Sequence, residues 1–150
     1  MSFYDILVVI HVFSAIVGLG PGFVMIYIVT KAETMTELRH VYKIRNRIHI
    51  FVMIGGTLLL LTGLVMGLLR PYLFNQIWFI SSLVLFLIAL GAGPILLSPR
   101  SKPIKIILEE HKGEHVPESY HALSKQLFFY ERITNIIFFI IILLMITKPF

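Results

Sequence analysis

Apolar residues run through this chain in long uncharged blocks separated by short polar ones. No Asp, Glu, Lys or Arg occurs from Ile6 to Thr30, from Ile48 to Leu69, or from Pro71 to Pro99. Each block meets the ~20 residues that a helix needs to cross a bilayer core. The third opens on Pro71-Tyr72-Leu73-Phe74-Asn75-Gln76, which reads as interfacial, so its span is placed at residues 77–98. A fourth run, Ile133 to Thr147, has 15 residues and reaches adequate length once Leu127, Phe128, Phe129 and Tyr130 enter the interface. The pattern predicts an all-α fold: a polytopic membrane protein forming a single four-helix transmembrane bundle over 1–150, with spans at about 6–30, 48–69, 77–98 and 129–147.

Composition agrees with this. The chain is 57% hydrophobic and 14% charged, against roughly 45–50% and about 25% in soluble domains. There is no cysteine, which removes disulfides, thiolate metal sites and cysteine nucleophiles from consideration. The segment MSFYDILVVIHVF has Asp5 in place of a positive n-region and no small-residue cleavage pattern, so it reads as a retained span.

Four spans place both termini on one side. That side holds Arg70 and Lys148, and the other eleven Lys and Arg residues fall on the opposite side. The positive-inside rule puts both termini outside and the long loops in the cytoplasm of a multi-pass protein of the cell membrane. The net charge of +5 therefore predicts contact with anionic headgroups, each basic residue contributing about 1 kcal/mol near the surface. No basic face interleaved with aromatics is present, so nucleic acid is not an expected partner.

In the loops, Thr34-Met35-Thr36-Glu37 fits a capping box, so helix two should begin near Met35 and present Arg39, Lys43 and Arg47 as one stripe. Pro99 and Pro103 are expected to end helix three, with Ile104 to Lys112 as an amphipathic stretch on the membrane surface. Pro117 suits the first turn of the helix leading into span four. His111 and His115 have chelating spacing, but Gly113 interrupts them, so a solvated polar loop is expected there and no metal site.

Within the membrane, helix association depends on small residues and interhelical hydrogen bonds. Gly56, Gly63 and Gly67 in span two and Ser82, Ala89 and Gly93 in span three supply small faces, whereas span four is bulky apart from Thr134 and Asn135. Spans one to three are thus expected to pack tightly, with span four facing lipid or a dimer partner.

Span one carries the functional signal. His11 shares a face with Ser14, Ala15, Gly18, Gly22 and Met25. It lies about 8 Å inside the boundary at ~1.5 Å per residue, where an ionisable group marks a candidate site. One reading is a neutral imidazole bonded to Ser82, Thr62 or a freed carbonyl. The other is an axial ligand to haem b or a donor to a quinone, with Ser14, Ala15 and Gly18 giving clearance for a flat ring. Met66 and Met145 are the candidates for a second ligand at that depth, and Met66 is assigned with His11, Ser14 and Gly18 to the cofactor face. Pro21, between Gly20 and Gly22, is expected to kink or unwind the helix. His49 is expected in an interfacial cluster with Arg47, Glu131 and Asn135. No nucleophile–base pair or carboxylate pair is visible, so no catalytic constellation is assigned.

The stretch HVFSAIVGLGPGF (11–23), with Lys31-Ala32, Ile54-Gly55-Gly56-Thr57, Leu61-Thr62-Gly63-Leu64 and Gly67, resembles an uncharacterised family of four-span bacterial integral membrane proteins without assigned function. More distantly, an early span-one histidine before a glycine turn is similar to CopD-type copper-resistance domains and HemJ-type protoporphyrinogen oxidases. The second resemblance implies a haem-associated histidine, which maps onto His11; the lysine of that type has no counterpart in these spans. The function expected is a small redox-associated membrane protein binding haem b or a quinone, with a homo-oligomer or a respiratory or other membrane protein as partner. The competing expectation is a membrane assembly component or small-solute transporter that uses a broken first helix.

Overall fold

A computed structural model describes residues 1–149. The helices are α1 (Phe3–Thr30), α2 (Met35–Leu69), α3 (Ile77–Ala92), α4 (Ser98–Glu110) and α5 (Glu118–Thr147), with a 3₁₀ turn at Pro71–Asn75 and a π-helical turn at Gly93–Leu97. Four helices are long and apolar enough to cross a membrane, the third being the continuous rod Ile77–Glu110. No strand occurs among the described residues.

Local sequence sets the starts. The Thr34 hydroxyl accepts from the Glu37 amide while the Glu37 carboxylate accepts from the Thr34 amide, closing the capping box expected there. Ser2 and Asp5 form the same device on α1. The 35 residues of α2 extend ~52 Å at 1.5 Å per residue, well beyond a ~30 Å hydrocarbon core. Its first turns therefore project past the membrane at the loop end of the bundle.

Those projecting turns meet α4 and the start of α5 in a core of their own, where Met35, Leu38, Tyr42, Ile104, Tyr120 and Leu127 are buried. This corrects one expectation. Pro99 and Pro103 do not end the third helix, which continues to Glu110. The π turn just ahead is wider than an α turn, which relieves the clash of a proline ring with the carbonyl four residues back. Within the stretch Ile104 to Lys112, Ile104 is 1% exposed and packs on α2 and α5, while Ile106 is 53% exposed.

The spans form two pairs. α1 packs along α2, α3 packs on α5, and α1 touches α5 only lightly. The expected grouping of spans one to three is thus replaced by α1–α2 and α3–α5. Glycines explain the first pair: a Cβ on Gly18 would lie 2.7 Å from the Gly56 nitrogen, and one on Gly55 would collide with Gly18. The bulky α5 is not left to lipid, since Ile141 is buried against Leu19, Leu59 and Phe86.

Pro21 lies within an uninterrupted α1. The expected unwinding does not occur. Nearby, the Asn135 side-chain amide of α5 donates to the Gly22 carbonyl at 2.8 Å, an interhelical bond of the kind that links helices in lipid.

Candidate functional site

The seam between the two helix pairs opens into a cavity of about 490 Å³. Each spanning helix contributes: His11, Ala15 and Leu19 from α1, Leu59 and Gly63 from α2, Ser82 and Phe86 from α3, Ile141 and Met145 from α5. His11 and Ser82 are the only lining side chains that carry nitrogen or oxygen among the described residues. The Ser82 hydroxyl is already used, donating to the Trp78 carbonyl at 2.8 Å.

His11 is held from α2. Its Nδ1 lies 2.8 Å from the Thr62 hydroxyl oxygen, and that hydroxyl donates to the Leu58 carbonyl at 2.7 Å. A hydroxyl has one proton, so its free lone pairs face the imidazole and the network assigns the proton to Nδ1. Nε2 is then the unprotonated nitrogen. Among the described residues no hydrogen bond reaches it, and it is not sealed from its surroundings, since Arg100 Nε is the one buried unpartnered side-chain atom among them. Gly63 leaves room for the ring: a Cβ there would stand 3.2 Å from His11 Cε1.

The other residues assigned to this face separate. Ser14 is buried in the α1–α2 contact, its hydroxyl donating to the Ile10 carbonyl at 2.7 Å. Gly18 is pressed against Gly55 and Gly56. Neither lines the cavity, because α2 occupies the clearance that their small size provides. Met66 is 8% exposed and also absent from the lining, whereas Met145 is part of it. The cavity wall on α1 therefore runs through His11, Ala15 and Leu19 with Val12, Ile16, Gly20 and Phe23 beside them, so it shares His11 and Ala15 with the face read from sequence and is otherwise turned away from it. No periodicity in α1 distinguishes these faces, since both are small or apolar. Which one meets α2 depends on the glycines of α2.

Toward the loop end, Arg45 pairs with Glu131, both Arg45 terminal nitrogens donating to the carboxylate, one of them at 3.2 Å. Tyr42 and Tyr120 hydroxyls lie 3.2 Å apart beside them. The interfacial cluster expected around His49 thus forms around Arg45 in place of Arg47, with Asn135 directed to Gly22. In the loop, the His111 ring meets the His115 carbonyl at 2.9 Å. Glu114 accepts from the Thr36 hydroxyl at 2.7 Å and from its amide at 3.3 Å. These bonds hold the Glu114 carboxyl below the usual carboxylate range.

No curated protein and no solved structure matches the chain. A family model described as predicted integral membrane protein (DUF2269) matches residues 5–149, and it is to this family of integral membrane proteins that the chain belongs.

Proposed function

We propose that the seam cavity is a binding site for haem b or a quinone-type ring and that the protein is a small redox-associated component of the cell membrane. One observation carries the reading: an imidazole held by Thr62 leaves an unprotonated, unpartnered Nε2 on the wall of an otherwise apolar cavity. Its volume of about 490 Å³ falls within the ~300–1,000 Å³ of small-molecule sites. An Nε2 lone pair suits haem iron or a quinol hydroxyl, and it cannot donate to a quinone carbonyl. Met145 supports a sulfur ligand from the facing helix pair. When bound, haem would supply one-electron transfer; His11 would anchor it, Thr62 would fix the tautomer, and the apolar walls would exclude water.

Continuity of α1 through Pro21 favours a binding cavity over a hinge or a groove of freed carbonyls. The eleven-to-two split of basic residues supports an outer-leaflet position for the cavity, with the loop end in the cytoplasm on anionic headgroups.

The test is a reduced-minus-oxidised absorption spectrum of protein purified from cells supplied with a haem precursor. A Soret band abolished by His11→Ala is expected. Without a band in the wild type the haem reading fails, and a band unchanged in the variant removes His11 as ligand. For the quinol arm, the expected result is a co-purified quinol in the wild type and its loss in His11→Ala.

A further inference from the structure

Beyond the seam cavity, at the end of the bundle where the termini meet, lies a second cavity of about 370 Å³. All four spanning helices or their caps reach it: Tyr4 from α1, Arg70 from the end of α2, Trp78 from α3 and Lys148 from the end of α5. Basic residues are scarce here. Of 13 in the chain, Arg70 and Lys148 alone belong to this end, and although 78 positions apart they converge on one cavity.

Both cations rest on aromatic faces. The Arg70 guanidinium carbon is 3.7 Å from the Tyr4 ring centroid, and Lys148 Nζ is 5.5 Å from that of Trp78. Lys148 adopts the left-handed conformation, φ 45°, as it caps α5. Among the described residues neither cation has a carboxylate within salt-bridge distance, and Asp5 nearby is engaged by the Ser2 amide and hydroxyl at 2.8 Å. A guanidinium held over a ring face by its carbon has no hydrogen-bond acceptor there, so its N–H donors stay available for a bidentate oxyanion. Gln76 adds an amide to the same wall.

From this convergence we infer a binding site for the phosphate of an anionic phospholipid headgroup. A lipid fits better than a soluble anion because the cations sit within the interfacial aromatic girdle of Tyr4, Tyr72 and Trp78, and because the lining residue Val8 is exposed on the outer face of α1. The inference is independent of what the seam cavity holds.

Trp78 is the only tryptophan in the chain, so intrinsic emission reports from this wall. The full chain in phosphatidylcholine nanodiscs, titrated with phosphatidylglycerol, should show a saturable change in emission. In Arg70→Gln/Lys148→Gln the half-saturating lipid fraction should rise at least tenfold, and phosphatidylglycerol adducts retained in native mass spectra should fall by a similar factor. Lys102→Gln/Lys105→Gln, at the loop end, should leave the saturable change in Trp78 emission intact, because those lysines are remote from this cavity. Equal adduct retention in the Arg70/Lys148 variant, or loss of the emission change in the loop-end variant, overturns the site. A matching emission change with soluble glycerol phosphate in pure phosphatidylcholine discs overturns the lipid assignment.

Discussion

Gly18 and Gly55 bring the backbones of α1 and α2 into contact: a Cβ on Gly55 would collide with the Gly18 nitrogen and α-carbon and lie 2.9 Å from the Ser14 carbonyl oxygen. In lipid, where apolar side chains gain nothing by leaving solvent, such close approach is a main source of helix association. Gly18→Ala should therefore cost about 1–3 kcal/mol, the usual range for overpacking. Gly91→Ala meets nothing within 4 Å and should be neutral or slightly stabilising through helix propensity. Unfolding in mixed micelles, followed by circular dichroism, compares the two.

The Arg45–Glu131 pair joins α2 to α5 with side chains only 17% and 12% exposed. Removing one partner leaves a charge poorly solvated, so Glu131→Ala should destabilise by about 3 kcal/mol. Arg45→Met/Glu131→Leu should recover most of that loss, because replacing a buried pair with apolar groups is often neutral. The same unfolding assay gives the double-mutant cycle.

Asn135 is the polar link from α5 to α1. Asn135→Leu removes its bond to the Gly22 carbonyl and should cost about 0.5–1.5 kcal/mol, in line with interhelical hydrogen bonds measured in lipid. A stability change outside that range would show that this bond is not what ties the pairs together near Pro21.

Thr62 acts on the proposed ligand through His11. Thr62→Val removes the acceptor for Nδ1–H, and loss of such a partner typically weakens metal binding about 10–100-fold. A haem titration of wild type and variant, with thermal unfolding as a check on folding, should show weakened affinity in a variant that still folds, its stability lowered by about 1–3 kcal/mol through the unpaired Nδ1–H.

The Glu114 clamp on the start of α2 should respond to acid. Its carboxyl is held below the ordinary range by the Thr36 hydroxyl and amide, so the folded state binds this proton less readily than the unfolded one. The stabilisation is complete above the ordinary Glu pKa and is lost as pH falls through the lowered folded value. Hydrogen exchange of residues 112–117, corrected for intrinsic pH effects, should accelerate on acidification in the wild type and be insensitive in Glu114→Gln.

The four apolar helices were legible because uncharged runs of bilayer length have few alternatives: every backbone amide in lipid must be bonded, and a helix does this without reference to its neighbours. The capping box at Thr34–Glu37 was legible for the same reason, being set within four residues. His11 stood out as an ionisable residue inside a span, and Thr62 was among its candidate partners. These properties follow from local chemistry that the chain carries wherever it packs.

Tertiary structure decided the rest. Whether Pro99 stops a helix depends on the wide turn at Gly93–Leu97 and on the cover that α2 and α5 provide for Ile104. Whether Ser14 and Gly18 face a ligand or a helix depends on Gly55 and Gly56, nearly 40 positions away. Met145 enters the cavity and Met66 does not because α5 pairs with α3 across the seam. Sequence alone determined that this protein crosses the membrane and which residue is costly to place there. Only packing determined what that residue faces, since small and apolar helix faces are equivalent until another helix covers one of them.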